Sequence, residues 1–184
     1  MSLPPRRSAD LGRGIDRLAA GCKRYGPGRL PKAENHAVGA GYAGASAAIC
    51  AAIFYAGIST VVGSVGLDAT ADFVNIAVAA LALPFVVPAA FAIGYAGWKI
   101  VTPTSPVSGL VCGFLGVFAT YGVALLLFGI LVTVPEVLSG ASPLRAAVFS
   151  WGVIYFAFIE AWWAAVPIGT MSGFVYVAVI SPTE

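Results

Sequence analysis

The chain has 184 residues, of which 59% are apolar and only 10% are charged, whereas a typical soluble domain is about 25% charged. A mean hydropathy of +0.91 leaves too little polar surface to coat a globule in water, which argues against a soluble fold. In a bilayer the same length supplies four or five spans of ~20 residues each.

Charged residues are divided unevenly along the chain. The first 36 residues hold eight basic and three acidic side chains, a net charge of +5, whereas the remainder holds two basic and five acidic ones, a net charge of −3. We therefore interpret residues 1–36 as a basic tail and residues 37–184 as a transmembrane domain.

The tail contains one helical pattern. Apolar residues recur from Leu11 to Tyr25 at intervals of four, three, four and three, which is the spacing of one helix face. This predicts an amphipathic helix over 9–25 that lies against anionic lipid headgroups. The cations predicted to contact the headgroups are Arg13, Arg17, Lys23 and Arg24.

A disordered basic tail that only fixes the topology is the alternative, because three glycines lower the helix propensity of this segment. Nucleic-acid binding is not supported, since it needs a basic patch on a docking fold.

Four uncharged runs follow the tail, and each is long enough to cross a ~30 Å hydrocarbon core as a helix. The runs lack the alternating polarity of strands in a transmembrane barrel. Because only helices and closed barrels can span a membrane, we predict that the runs are helices. The predicted spans are about 38–66, 73–98, 107–134 and 143–167. The predicted fold is therefore all-α: a polytopic integral membrane protein with a four-helix transmembrane bundle and a basic N-terminal tail.

The fourth run is longer than a membrane needs. From Pro143 to Ile180 it has 38 residues, roughly 57 Å as one straight helix, and Pro167 removes a backbone donor inside it. We expect a broken fourth helix whose apolar segment 168–180 packs near the membrane surface. A re-entrant or fifth span is the alternative.

Basic residues also predict the orientation. With four spans, the tail and the 99–106 loop lie on one side, which then carries nine of the ten basic residues. Because Lys and Arg are retained on the cytoplasmic side, we expect a multi-pass protein of the cell (inner) membrane with a cytoplasmic N-terminus.

Glu160 is the ionisable side chain firmly inside the fourth run. A carboxylate at the centre of a membrane helix costs around 2.5–3.5 kcal/mol, so such a group is a hypothesis for a functional site. Glu160, with Asn75 of the second run, is the predicted intramembrane polar site for a proton, a cation or a partner. Counting about 26 Å from Pro143 puts Glu160 nearer the cytoplasmic interface than the midplane, where a purely structural carboxylate is the competing interpretation.

Small residues spaced four apart are abundant in the apolar runs. In lipid such residues let helix backbones approach closely, and the predicted packing positions are Gly44, Gly109, Gly113, Gly169 and Gly173. One bundle can use only some of these faces internally. We therefore expect other membrane subunits, in a homo- or hetero-oligomer, as partners.

Residues suited to catalysis are scarce. The chain has one histidine and three cysteines, with no metal-ligand spacing among them. Gly39–Gly44 spells G-x-G-x-x-G, but it opens a membrane span rather than a βαβ unit. We expect no catalytic residue, no metal, no cofactor and no enzymatic activity.

These observations favour a small accessory or structural subunit that acts by helix packing within a larger membrane assembly. The alternative is a small transporter or channel that uses Glu160 and proline-broken helices. A weak similarity between 56–61 and 128–133 is compatible with two duplicated halves, a common basis of transporter sites.

The two hypotheses predict opposite results for two variants. For an accessory subunit, Glu160→Gln leaves ion or solute flux in proteoliposomes unchanged, whereas Gly113→Leu abolishes co-purification with partners. Loss of flux in Glu160→Gln together with intact co-purification of Gly113→Leu would contradict the subunit hypothesis.

Overall fold

A computed structural model describes residues 30–65, 69–140 and 142–180, together with Gly14, Arg17, Ala20 and Gly21 of the tail. The side chains of 63–65, 69–75, 78 and 180 are outside this description. The apolar stripe of the predicted tail helix also lies outside it, as do Arg13, Lys23 and Arg24. Arg17 is helical and exposed.

Four helices account for the regular structure of the described ranges: α1 His36–Val65, α2 Ala69–Val101, α3 Pro106–Leu138 and α4 Pro143–Ile180. All four are long and apolar enough to cross a membrane, which confirms the predicted all-α, four-helix architecture.

Side-chain caps begin two of these helices. The Asn35 side-chain oxygen accepts a hydrogen bond from the Ala37 backbone N–H at 3.1 Å at the start of α1. Ser105 and Ser108 form a reciprocal capping box at the start of α3, with Pro106 in the first turn. These caps accept hydrogen bonds from backbone N–H groups of the first helical turn, which have no carbonyl partner within the helix.

The prediction of a broken fourth helix is wrong, because α4 continues through Pro167 as one helix of 38 residues. Segment 168–180 is the last part of that helix, and it packs along α3, where Val177 is buried beside Gly109. This tertiary contact holds the segment in line, while adjustments in and around a membrane helix can satisfy the carbonyl that a proline frees.

The helices form two antiparallel hairpins, α1–α2 and α3–α4, with extensive contact inside each. Fewer contacts join the hairpins, through α1 with α4 and α2 with α3. The Cα atoms of the diagonal helices do not come within 8 Å of each other in the described residues. A two-fold rotation that exchanges the two hairpins replaces the contact between α1 and α4 by the contact between α2 and α3. The observed contacts are therefore those expected of two hairpins related by an approximate two-fold axis.

Each hairpin crosses where small residues face each other. In α1–α2, a Cβ built on Gly44 would lie 2.6 Å from the carbonyl oxygen of Ala90. In α3–α4, a Cβ built on Gly113 would lie 2.6 Å from the carbonyl oxygen of Gly169. Real Cβ atoms do not approach backbone oxygens this closely, so both crossings require glycine.

The two crossings occur at corresponding positions of the two hairpins. Ala40 and Gly44 of α1 correspond to Gly109 and Gly113 of α3, 69 positions later. Ala90 and Gly94 of α2 correspond to Gly169 and Gly173 of α4, 79 positions later, and in both helices a proline, Pro88 or Pro167, stands two residues before the crossing. The similarity between 56–61 and 128–133 has a shift of 72 and therefore misses this register.

Buried apolar residues are mostly small, whereas many large apolar residues are exposed. Seven of the ten buried apolar residues in the described ranges are alanines, whereas Leu126, Phe156 and many other large side chains are exposed. Lipid tails are as apolar as these side chains, so helix association relies on close backbone packing rather than on burial of large groups.

Adding a single methyl group tests the crossings. We expect Gly113→Ala to lower the free energy of unfolding by about 1–3 kcal/mol, the usual cost of overpacking. Gly44→Ala should show a loss of the same size if the two hairpins are equivalent. Unfolding by a denaturing detergent, followed by circular dichroism, measures both.

The matched controls are Gly122→Ala in α3 and Gly57→Ala in α1, because a Cβ at either position meets nothing within 4 Å. These variants gain the same helix propensity without the collision. Equal stability of the crossing and control variants would contradict the close approach of the backbones.

Candidate functional site

A cavity of about 1090 Å³ lies between the two hairpins and is lined by all four helices. Alanine and glycine make up about half of its lining, including Ala48 of α1 and Ala82 of α2. Such small side chains leave space between helices that do not touch along the diagonals. The cavity is therefore a consequence of the same residue choice that lets each hairpin cross closely.

Polar side chains are few in this lining: Tyr55, Trp98, Cys112, Thr120, Tyr121, Glu160, Ser172 and Tyr176. The Thr120 hydroxyl donates to the carbonyl oxygen of Gly116 in its own helix at 2.7 Å. The Ser172 hydroxyl of α4 donates to the carbonyl oxygen of Ala43 in α1 at 3.3 Å. This second bond is one of the contacts that join the hairpins.

Glu160 is the one charged residue that lines the cavity among those described. It is the eighteenth of the 38 residues of α4, so it lies midway along the helix. The predicted depth of Glu160, nearer the cytoplasmic interface than the midplane, stays a prediction. In the described part of the chain, no hydrogen bond or ion pair engages its carboxylate.

Tyr55 and Tyr121 lie at the same level as Glu160. Counted from the crossing residues Gly44, Gly113 and Gly169, these three side chains are eleven, eight and nine residues away. At 1.5 Å per residue these separations are about 12–17 Å.

Aromatic contacts hold both tyrosines against α4. The Trp163 ring centroid lies 6.1 Å from that of Tyr55, and the Phe158 centroid lies 4.8 Å from that of Tyr121. In sequence, Glu160 stands between Phe158 and Trp163. The carboxylate is therefore carried by the same short part of α4 that positions the two phenol rings.

Lining residues of the cavity are exposed on the outside of the bundle at several places, including Leu81 of α2, Leu115 of α3 and several residues of α4. Lining residues Phe149, Phe156 and Glu160 are exposed. Their spacing of seven and four places these side chains on one face of the helix. The cavity is therefore accessible from outside the bundle on this side.

At the other end, where the tail joins α1, aromatic residues connect three helices. The Tyr176 hydroxyl donates to the carbonyl oxygen of His36. The Trp98 ring lies 5.5 Å from that of Tyr176 and 5.8 Å from that of His36, between centroids. This cluster fixes the ends of α1, α2 and α4 relative to one another beside the cavity.

The structure brings four of the predicted packing glycines together within one hairpin. Gly109 and Gly113 contact Gly169 and Gly173, and the fifth, Gly44, contacts Ala90. The glycines therefore face the chain's own helices, so Gly113→Leu would collide with α4 in the isolated chain. Loss of co-purification in that variant would not by itself report a partner contact.

The second predicted polar residue, Asn75, belongs to α2, but its side chain lies outside the described residues. The sequence analysis did not identify Tyr55 and Tyr121. Nothing in the local sequence distinguishes these two tyrosines, because they are brought to the level of Glu160 only by the packing of the helices. No group of three or more His, Cys, Asp or Glu that could hold a metal occurs in the described ranges.

Comparison with known proteins gives no match to a family model, to a curated sequence or to a solved structure.

The Tyr176 hydrogen bond allows a test of the cluster at the tail end. Tyr176→Phe removes the hydroxyl and keeps the ring, and we expect a loss of about 0.6–1.7 kcal/mol, as for other hydrogen bonds between membrane helices. Tyr155→Phe, at an exposed position of the same helix, is the control. Detergent unfolding measures both, and an unchanged stability in Tyr176→Phe would contradict the bond.

Proposed function

We propose that the chain is a small membrane carrier that takes up an apolar or amphiphilic molecule between its two hairpins. The observation that carries this proposal is the cavity of about 1090 Å³ lined by all four helices. Sites for small molecules in proteins have volumes of about 300–1,000 Å³ and mostly apolar walls with a few polar groups. The cavity has that chemistry and slightly exceeds that range.

The repeated hairpins support a carrier. Many transporters consist of two structural repeats with the substrate site at their interface. Here Pro88 and Pro167 occupy corresponding positions of the two return helices, next to the crossings. The contacts between the two hairpins are fewer than the contacts within each hairpin. Each hairpin can therefore move as a unit around a molecule bound between them.

The exposed lining residues of α4 support uptake from the lipid phase. Phe149 and Phe156 are exposed and also line the cavity. A molecule dissolved in the bilayer meets these side chains before the interior of the bundle. An apolar or amphiphilic molecule is concentrated in the bilayer, so lateral entry suits it.

An accessory subunit remains the competing hypothesis. It was favoured by glycine pairs interpreted as free packing faces, and those pairs are engaged within the hairpins. Exposed large apolar side chains do not distinguish the two hypotheses, since any helix that faces lipid exposes them. The cavity therefore favours the carrier.

The proposed orientation follows from charge. We propose the cell (inner) membrane, with the tail on the cytoplasmic side, because nine of the ten basic residues then lie there. The exposed cations of this side, Arg17, Lys32 and Lys99, suit contact with anionic headgroups.

Filling the cavity tests the proposal. We expect chain in nanodiscs to bind the neutral probe triphenylmethane beyond its partition into empty nanodiscs, at about one molecule per chain. Ala82→Phe introduces a ring into the lining, and because this ring occupies space that the probe needs, we expect roughly tenfold or more weaker binding. Equilibrium dialysis with radiolabelled probe measures both.

The matched control is Ala80→Phe, two residues away, exposed and outside the lining. A second pair in the other hairpin, Ala157→Phe in the lining and Ala147→Phe outside it, covers the case in which Ala82→Phe does not fold. Absence of probe binding, or equal binding by lining and control variants, would contradict the carrier and favour the accessory subunit.

A further inference from the structure

We infer that the molecule taken up is a lipophilic cation and that Glu160 is its counter-ion. This inference rests on the proposed function, because it names the substrate class of the same cavity. It is carried by the charge of the lining, by the aromatic rings at the level of the carboxylate and by the apolar remainder of the wall.

The charge of the lining has one sign. Glu160 lines the cavity, and no Lys, Arg or His is among the lining residues that the structure describes. Its carboxylate has no ion-pair partner there. A carboxylate within a membrane helix is costly unless it is paired, so a cation that enters the cavity gains this interaction without displacing an internal partner.

Two aromatic side chains line the cavity at the level of Glu160. Tyr55 and Tyr121 line the cavity about 12–17 Å from the crossings, as Glu160 does. Aromatic rings attract cations through their negative faces, by about 2 kcal/mol or more where water is excluded. Two phenol rings on α1 and α3 and a carboxylate on α4 therefore line the same part of the cavity, and both kinds of group attract cations.

The rest of the wall selects against small hydrated ions. Apart from the few polar side chains, the lining consists of alanine, glycine and larger apolar residues. The described lining residues form no ring of oxygen ligands that could replace the hydration shell of a metal ion. A cation whose charge is covered by hydrocarbon or aromatic groups loses little hydration on entry, and its apolar body fits the wall.

The position of Glu160 also suits capture from the membrane. The side chain is exposed and lies four residues from Phe156 on the same face of α4. A lipophilic cation that diffuses in the bilayer therefore meets an aromatic ring and a carboxylate on one helix face at the entrance. Anions of the same shape meet the same negative charge and are repelled.

Three arylated probes test the effect of charge: the two tetraphenyl ions match each other in shape and size, and the neutral probe has one ring fewer. These are tetraphenylphosphonium, which is cationic, tetraphenylborate, which is anionic, and triphenylmethane, which is neutral. Each is dialysed against nanodiscs of neutral lipid that contain the full-length chain, and the readout is the ratio of Kd values between probes. We expect tetraphenylphosphonium to bind at least about tenfold more tightly than triphenylmethane, and tetraphenylborate to bind most weakly.

Variants assign the preference to one carboxylate. We expect Glu160→Gln to lower the preference for cation over neutral probe by about tenfold or more, and Glu160→Asp, which keeps the charge, to retain most of it. Glu136→Gln is the control, because Glu136 is an exposed carboxylate near the end of α3 and does not line the cavity. It should retain the full preference.

Three results would overturn the inference, and they are distinguishable. If the neutral probe binds but the chain shows no preference for the cation, the carrier remains and the cationic substrate is wrong. If the preference is unchanged in Glu160→Gln, the carrier remains and Glu160 is not the counter-ion. If no probe binds beyond empty nanodiscs, the proposed function fails as well.

Discussion

The close approach of helix backbones at two glycine-containing crossings determines the rest of this structure. Gly44 lies against the backbone of Ala90, and Gly113 lies against that of Gly169. In lipid, burial of large apolar groups provides no force between helices, so van der Waals contact at such points must hold them together. A side chain at either point would separate the helices.

The cavity follows from this constraint. Each hairpin is tight, but the two hairpins meet through fewer contacts, and the diagonal helices do not approach. Small residues continue along the inner faces beyond the crossings, for example at Ala48 and Ala82, so the space between the hairpins stays open. Many large apolar side chains, such as Leu126 and Ile130, are exposed on the outside, where lipid accommodates them. Glu160, Tyr55 and Tyr121 lie beyond the crossings at a common level and give this space its polar character.

Much of the fold could be predicted from the sequence, because charge and helix length depend on local composition. The four uncharged runs correspond to α1–α4, and the glycine spacing identified Gly109, Gly113, Gly169 and Gly173 as packing residues. Their partners could not be predicted, since four-residue spacing indicates a flat helix face but not the helix that covers it. The continuity of α4 through Pro167 was missed because packing on α3 overrides the local effect of proline. Glu160 was recognised by its charge, whereas Tyr55 and Tyr121 join it only through the packing of three helices.

Methyl nuclear magnetic resonance tests the central claim, that the space between the hairpins is a binding site, most directly. With alanine methyl groups labelled and triphenylmethane added to the chain in nanodiscs, intermolecular nuclear Overhauser effects report which methyls lie beside the probe. The account predicts such effects at the lining residues Ala48, Ala82, Ala119 and Ala157, one from each helix, and none at Ala80 or Ala147. Effects of equal strength at the lining and outer alanines, or at the outer ones alone, would contradict it.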